Sequence, residues 1–192
     1  MAACSPAVRR VIQTGLLTGF RRQELISLRP EDIDSARKTV SVAAHNSKNG
    51  EGRTLPCGPR LMATLQEALA CRGPAGTVFV SEKGLPWTTN TFGKAFTQAC
   101  RRAGLEPLSP HVLRHTFASR LVMAGVDLRT VQELMGHKSI LMTMRYAHLS
   151  PDHTRAAMET LESRFAGKSP ATFPDTPGAA RPEDGGKLTA AR

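Results

Sequence analysis

Residues 109–138 read "SPHVLRHTFASRLVMAGVDLRTVQELMGHK" and spell two helices in succession. Ser109 is placed to cap the first, Pro110 brings the fixed φ suited to a first helical position, and Gly125 stands just past the end. Leu113, Phe117 and Leu121 recur on one face as its buried stripe. Asp127 caps the second helix and Gly136 terminates it. "HVLRH" (111–115) sets His111, Arg114 and His115 at spacings of three and four, so they share a face roughly opposite the apolar stripe.

The same grammar runs outward in both directions. "PAVRRVIQTGLLTG" is helical from Pro6 with Val8, Val11 and Ile12 inward; Gly19 breaks it, and "RRQELISL" restarts a helix with Leu25, Ile26 and Leu28 inward. "TVSVAA" (39–44) alternates as a strand and "RTLPC" (53–57) is its partner, joined by "HNSKNGEG", which has the Asn-Gly chemistry of a hairpin turn. "RLMATLQEALACR" is helical, "TVFVS" (77–81) a short strand, and "TNTFGKAFTQACRRAG" helical again. Ser150-Pro151 opens a last helix with Ala157, Leu161 and Phe165 on one face. The fold class is therefore mixed α/β, mainly α-helical with a small antiparallel β-sheet near the front.

At 192 residues and 40% hydrophobic content the chain is long enough for one domain with a substantial core. No run of about 18 apolar residues occurs, which excludes a membrane-spanning helix, and the N-terminus has no charged-then-apolar layout, so a cytoplasmic protein is expected. Cys4, Cys57, Cys71 and Cys100 form no C-x-x-C pair and read as reduced structural thiols. The segment from Gly167 to Arg192 is rich in Pro and Gly and reads as a disordered tail, leaving residues 1–166 as one domain. That tail holds four Lys/Arg and three Asp/Glu, so +9 of the formal charge of +10 belongs to the body. Such basicity points to a polyanionic partner, nucleic acid before an anionic membrane surface.

Seven phenylalanines but a single tyrosine occur in the chain, and Tyr146 falls nine residues after His137. A phenol attacking a phosphodiester must lose a proton of pKa near 10. Charge gathering on the non-bridging oxygens suits arginine forks, which bind two oxygens and stay protonated, and a Lys or His can supply the proton to the leaving oxygen. The chain offers Arg21 and Arg22 at a helix start, where amides also favour anions, Lys48 at the hairpin tip, and His111, Arg114 and His137. Blander readings exist for each. His111 and His115 at i,i+4 suggest zinc, but "HVLRH" lacks the glutamate of H-E-x-x-H. Glu24 reads as a structural partner for a nearby arginine, and "LRTVQELMGHKSILMTMRY" has the rhythm of a helix-turn-helix regulator.

Order decides between these readings. "TGFRRQEL" (18–25), "NSKNGEGRTLP" (46–56), "HVLRHTFASRL" (111–121), "LMGHKSI" (134–140) and "MTMRYAHLSPDH" (142–153) together resemble the catalytic domain of the tyrosine recombinase, or phage integrase, family. The resemblance implies that fold and the following roles. Arg21 and Arg114 clamp the scissile phosphate, Lys48 acts on the leaving 5′-hydroxyl, His111 assists proton transfer, His137 hydrogen-bonds the phosphate, and Tyr146 is the nucleophile. It further implies a site-specific recombinase of a mobile element or prophage, in a bacterial cytoplasm. That enzyme forms a 3′-phosphotyrosyl link without cofactor or metal, and works on double-stranded DNA as a homo-oligomer, a tetramer. Val112 and Met135 stand where the family often has an acidic or polar residue and Leu. Only about 20 residues precede Arg21, where the family has a further DNA-gripping helical domain. The corresponding expectation is an isolated or truncated catalytic domain with weak, steeply salt-dependent DNA affinity. Its rivals are a non-catalytic DNA-binding remnant and a type IB topoisomerase.

Overall fold

The computed structural model describes residues 4–43, 52–71, 76–150 and 154–166. The chain divides into two compact units, Met1–Pro151 and Asp152–Arg192. The first begins with α1 (Pro6–Thr18), opened by proline in its first turn and closed by Gly19 at φ +63°. Then come α2 (Arg22–Ile26), a 3₁₀ turn (Pro30–Asp32), and strands β1 (Ile33–Asp34), β2 (Thr39–Val42) and β3 (Arg53–Pro56). Helices α3 (Pro59–Ala70), α4 (Thr89–Arg102), α5 (His111–Met123), α6 (Leu128–Met135) and α7 (Leu141–Met144) follow, with a last 3₁₀ turn at Ala147–Leu149.

The sheet is antiparallel in the order β1-β2-β3, with Val40 facing both Ile33 and Leu55. Val40, Val42 and Leu55 are buried, while the hydroxyls of Ser41 and Thr54 hydrogen-bond at 2.8 Å on the exposed face, the alternation expected of a half-buried strand. Strand β1 is an unforeseen third member, since two residues are too few to show a period. Residues 77–81 do not form the strand their composition suggests. They make one bridge, Val80 to Pro86, because the chain doubles back through Gly84 at φ +70°; the Val78 amide instead donates to the Leu28 carbonyl at 2.8 Å. The hairpin tip between β2 and β3, Lys48 included, lies outside the described residues, as does the segment from 167 onward.

Helix α5 begins one residue later than its sequence suggests. Pro110 is the cap residue, in helical conformation, and the Ser109 carbonyl rather than its side chain starts the ladder by accepting the Val112 amide at 3.0 Å. The α6 signals hold as read: Asp127 Oδ1 accepts the Thr130 amide at 2.9 Å, and Gly136 ends the helix at φ +62°. Within the second unit, α8 (Thr154–Ala166) starts past Ser150–Pro151 and leaves Met158, Leu161 and Phe165 exposed.

Helix α5 joins two hydrophobic clusters. Leu113 belongs to the larger, with Val11, Phe20, Leu25, Leu65 and Phe92; Phe117, Ala118 and Val122 belong to a smaller one with Val131, Met135 and Tyr146. Close packing of α1 on α5 depends on Gly15, where a Cβ would lie 3.0 Å from Leu113 Cδ1. Arg114, on the same helix between Leu113 and Phe117, is buried as well.

Candidate active site

Arg114 departs from the sequence reading. It does not lie on a solvent face opposite Leu113 but is just as buried, 3% exposed against 4%. Helix C-termini explain how a cation survives there. The last carbonyls of a helix lack intrahelical donors and carry its negative dipole end. Gly19 caps α1 and Met135 ends α6; their carbonyls accept Arg114 Nη1 at 2.7 Å and Nη2 at 2.6 Å. Burial, then the charges of Arg21 and Arg53, push the Arg114 guanidinium down to about 9, still cationic at neutral pH.

Arg21 is held by the same logic with a carboxylate added. Its Nη2 donates to the Gly136 carbonyl at 3.3 Å, its Nη1 to Glu24 Oε1 at 2.9 Å, and its amide to Glu24 Oε2 at 2.8 Å. The helix start expected to receive an anion through that amide is therefore taken by Glu24, and α2 is only five residues long. Glu24 also accepts Arg53 Nη2 at 2.6 Å and Nη1 at 3.2 Å, while Arg53 lies 5.0 Å from the Phe20 ring centroid. Burial pushes the Glu24 carboxyl up, but the Arg53 fork and the Arg21 amide and side chain outweigh it and hold the group below its ordinary value. Glu24 is the arginine partner its sequence position suggests.

His137 follows the left-handed Gly136, with its amide on the Gln132 carbonyl at 3.1 Å and its Nδ1 2.9 Å from Thr143 Oγ1. Burial, then Arg114, Arg21, Arg53 and Arg145, bring its imidazole down to about 4, so it is neutral at pH 7. Tyr146 lies between α7 and the last 3₁₀ turn, and its hydroxyl is hydrogen-bonded to His115 Nδ1 at 2.6 Å. The His111 and His115 rings meet edge to face, centroids 4.7 Å apart.

These side chains line one open cavity of about 580 Å³: Arg21, His111, Arg114, His115, His137, Arg145 and Tyr146, with Leu141 and Met142 on its rim. Five of the six sequence candidates converge there, and Lys48 lies outside the described residues. His115 and Arg145 were missed as members, and Arg53 was missed as the second arginine on Glu24. The first two carried signals, one an i,i+4 partner of His111 and the other the neighbour of the lone tyrosine. Arg53 carried none, because its pairing with Glu24 spans 29 residues. A second cavity shares Arg21 and His111 with this one, and shares Arg22, Thr89, Ser109 and Pro110 with a larger groove of about 1030 Å³ that also displays Lys94 and Arg101. A cationic path thus leads from the cavity along α4. No helix among the described residues is long and apolar enough to cross a membrane.

A sequence model of the phage integrase family matches residues 2–153. The tyrosine recombinase XerC of Roseiflexus sp. (strain RS-1) is 35% identical over 160 residues, covering 76% of this chain and 50% of that protein. The chain spans about half the length of the curated relatives it matches. In backbone it is similar to the Tn1549 transposon integrase in complex with a circular intermediate DNA, with a TM-score of 0.68 and 27% identity over 79% of this chain and 57% of that one. It is similar also to the catalytic domain of bacteriophage HP1 integrase, with a TM-score of 0.60 and 29% identity over 78% of this chain and 79% of that one. On sequence and backbone together, the chain belongs to the phage integrase family of tyrosine recombinases and has the fold of its catalytic domain.

Proposed function

We propose that residues 1–166 act as the catalytic domain of a site-specific DNA recombinase of a mobile element or prophage, cutting and rejoining double-stranded DNA through a 3′-phosphotyrosyl intermediate. The observation that carries this reading is the placement of the chain's one tyrosine hydroxyl in a cavity lined by Arg21, Arg114 and Arg145. In this account the Tyr146 oxygen attacks the scissile phosphorus while Arg21 and Arg114 stabilise the non-bridging oxygens. Both guanidiniums are held in advance by backbone carbonyls, so little reorganisation is needed as charge develops. Removing one such donor is worth roughly 3–4 kcal/mol of barrier. His137, neutral, donates a hydrogen bond to the phosphate; His111, which also lines the cavity, assists proton transfer; Lys48 protonates the departing 5′-oxygen. A partner strand's 5′-hydroxyl then reverses the step, and no cofactor enters.

The basic path along Arg22, Lys94 and Arg101 supports a duplex partner, contacted through its phosphates. The exposed Met158, Leu161 and Phe165 of α8, three and four residues apart, support assembly of a homo-oligomer on DNA, a tetramer in the full reaction. Light scattering of DNA complexes with and without residues 152–192 tests that part, a loss of assembly being the expected result.

The reaction itself is tested by strand exchange between two labelled duplexes drawn from a pool of candidate element ends. Exchanged products are expected. Plasmid relaxation without exchange would indicate a topoisomerase, and DNA retention with neither would indicate a non-catalytic remnant.

A further inference from the structure

We infer that His115, rather than His111, is the group that takes the proton from Tyr146 on attack and returns it on rejoining. This inference rests on the nucleophilic role proposed for Tyr146. Its carrier is geometric. His115 Nδ1 lies 2.6 Å from the Tyr146 hydroxyl oxygen, within the range of a direct proton transfer, and the contact joins residues 31 apart on different elements. His111 touches the His115 ring instead, and no hydrogen bond links it to Tyr146 among the described residues.

The charge environment agrees. His115 faces Arg114 and His111 on its own helix and Arg145 and Tyr146 from the segment beyond α7. Burial, then Arg145 and Arg114, lower its pKa, so the imidazole is neutral at pH 7 and able to accept. Burial raises the Tyr146 phenol against the pull of Arg145 and Arg114, so the hydroxyl keeps its proton; the His115 tautomer with its own proton on Nε2 leaves Nδ1 open to accept it. A phenol that stays protonated beside a neutral imidazole needs that imidazole for its activation.

The step balances. The phenol O–H bond breaks and its proton passes to His115 Nδ1 as the Tyr146 oxygen bonds to phosphorus. The P–O5′ bond breaks with its electron pair on O5′, which takes the proton supplied by Lys48. In rejoining, the incoming 5′-hydroxyl gives its proton back and the imidazolium of His115 protonates the departing phenolate.

The test is single-turnover formation of the covalent adduct on a nicked duplex from the same pool, followed from pH 5 to pH 9. Asn at position 115 preserves a hydrogen-bonding atom near that of Nδ1 but takes no proton. His115→Asn is expected to bind DNA normally and to form adduct about 100-fold more slowly. Its rate should climb about tenfold per pH unit where the wild type has levelled off. His115→Gly should regain adduct formation with added imidazole, in proportion to the free base. An Asn variant with the wild-type rate and profile, or a Gly variant indifferent to imidazole, would overturn the inference while leaving the nucleophile in place. Absence of adduct with the wild type itself would overturn the underlying recombinase reading as well.

Discussion

Arg21 and Arg114 are gripped by the ends of α1 and α6 and by the Glu24 carboxylate. Tyr146, across the same cavity, has one side-chain hydrogen bond among the described residues and clusters with five other buried residues. The arginine side is part of the folding core: its cations satisfy carbonyls that would otherwise be buried without donors. The tyrosine side follows a four-residue helix whose Leu141, Met142 and Met144 are exposed. Loss of an arginine partner therefore damages fold and site together, whereas removal of the Tyr146 hydroxyl acts mainly on chemistry.

The largest break in that contrast is expected at Glu24. Glu24→Ala removes the only carboxylate paired with Arg21 and Arg53 among the described residues and leaves two nearly buried cations facing each other. A loss of about 3–5 kcal/mol in denaturant unfolding is expected, with adduct formation lost in parallel. Gly19→Ala comes next. The residue sits at φ +63° and a Cβ there would lie 2.3 Å from Phe117 Cδ1, so the ring must move and take the second cluster with it. Roughly 3 kcal/mol of destabilisation is expected by the same measurement.

Acid sharpens the comparison from another side. His137 titrates at about 4 when folded and near 6.5 when unfolded, so the unfolded chain binds more protons between those values. Stability should fall as pH drops through that window, by about 3 kcal/mol in all for this group. His111 and His115 are displaced in the same direction and add to the slope. Glu24, held low, keeps its contribution above the ordinary carboxylate range and loses it only in stronger acid. Unfolding free energies from pH 7 to pH 4 measure the slope, and His137→Gln should flatten it. The smallest effect on stability is expected at Tyr146→Phe, about 1 kcal/mol for one hydrogen bond, although activity disappears.

The sequence carried most of the helices because capping and stopping residues act locally: Asp127, Gly136 and Gly19 each do what their chemistry predicts. It also carried the site candidates, since their order along the chain is a one-dimensional signal. What it hid were consequences of tertiary packing. Arg114 reads as a surface cation until two helix C-termini converge on it, and no local pattern announces that convergence. Arg53 reads as an ordinary strand residue until the β2–β3 hairpin brings it to Glu24. Residues 77–81 have strand composition, but the turn at Gly84 leaves them only a single bridge.

The most direct test of the central claim uses a nicked duplex from the candidate pool, mixed with wild type and with Tyr146→Phe, and resolved on a denaturing gel. The account predicts a DNA-linked protein band for the wild type and none for the Phe variant, with unfolding free energies that agree within about 1 kcal/mol. A band of equal strength from both would contradict it, because the phosphotyrosyl bond would then lie elsewhere than Tyr146.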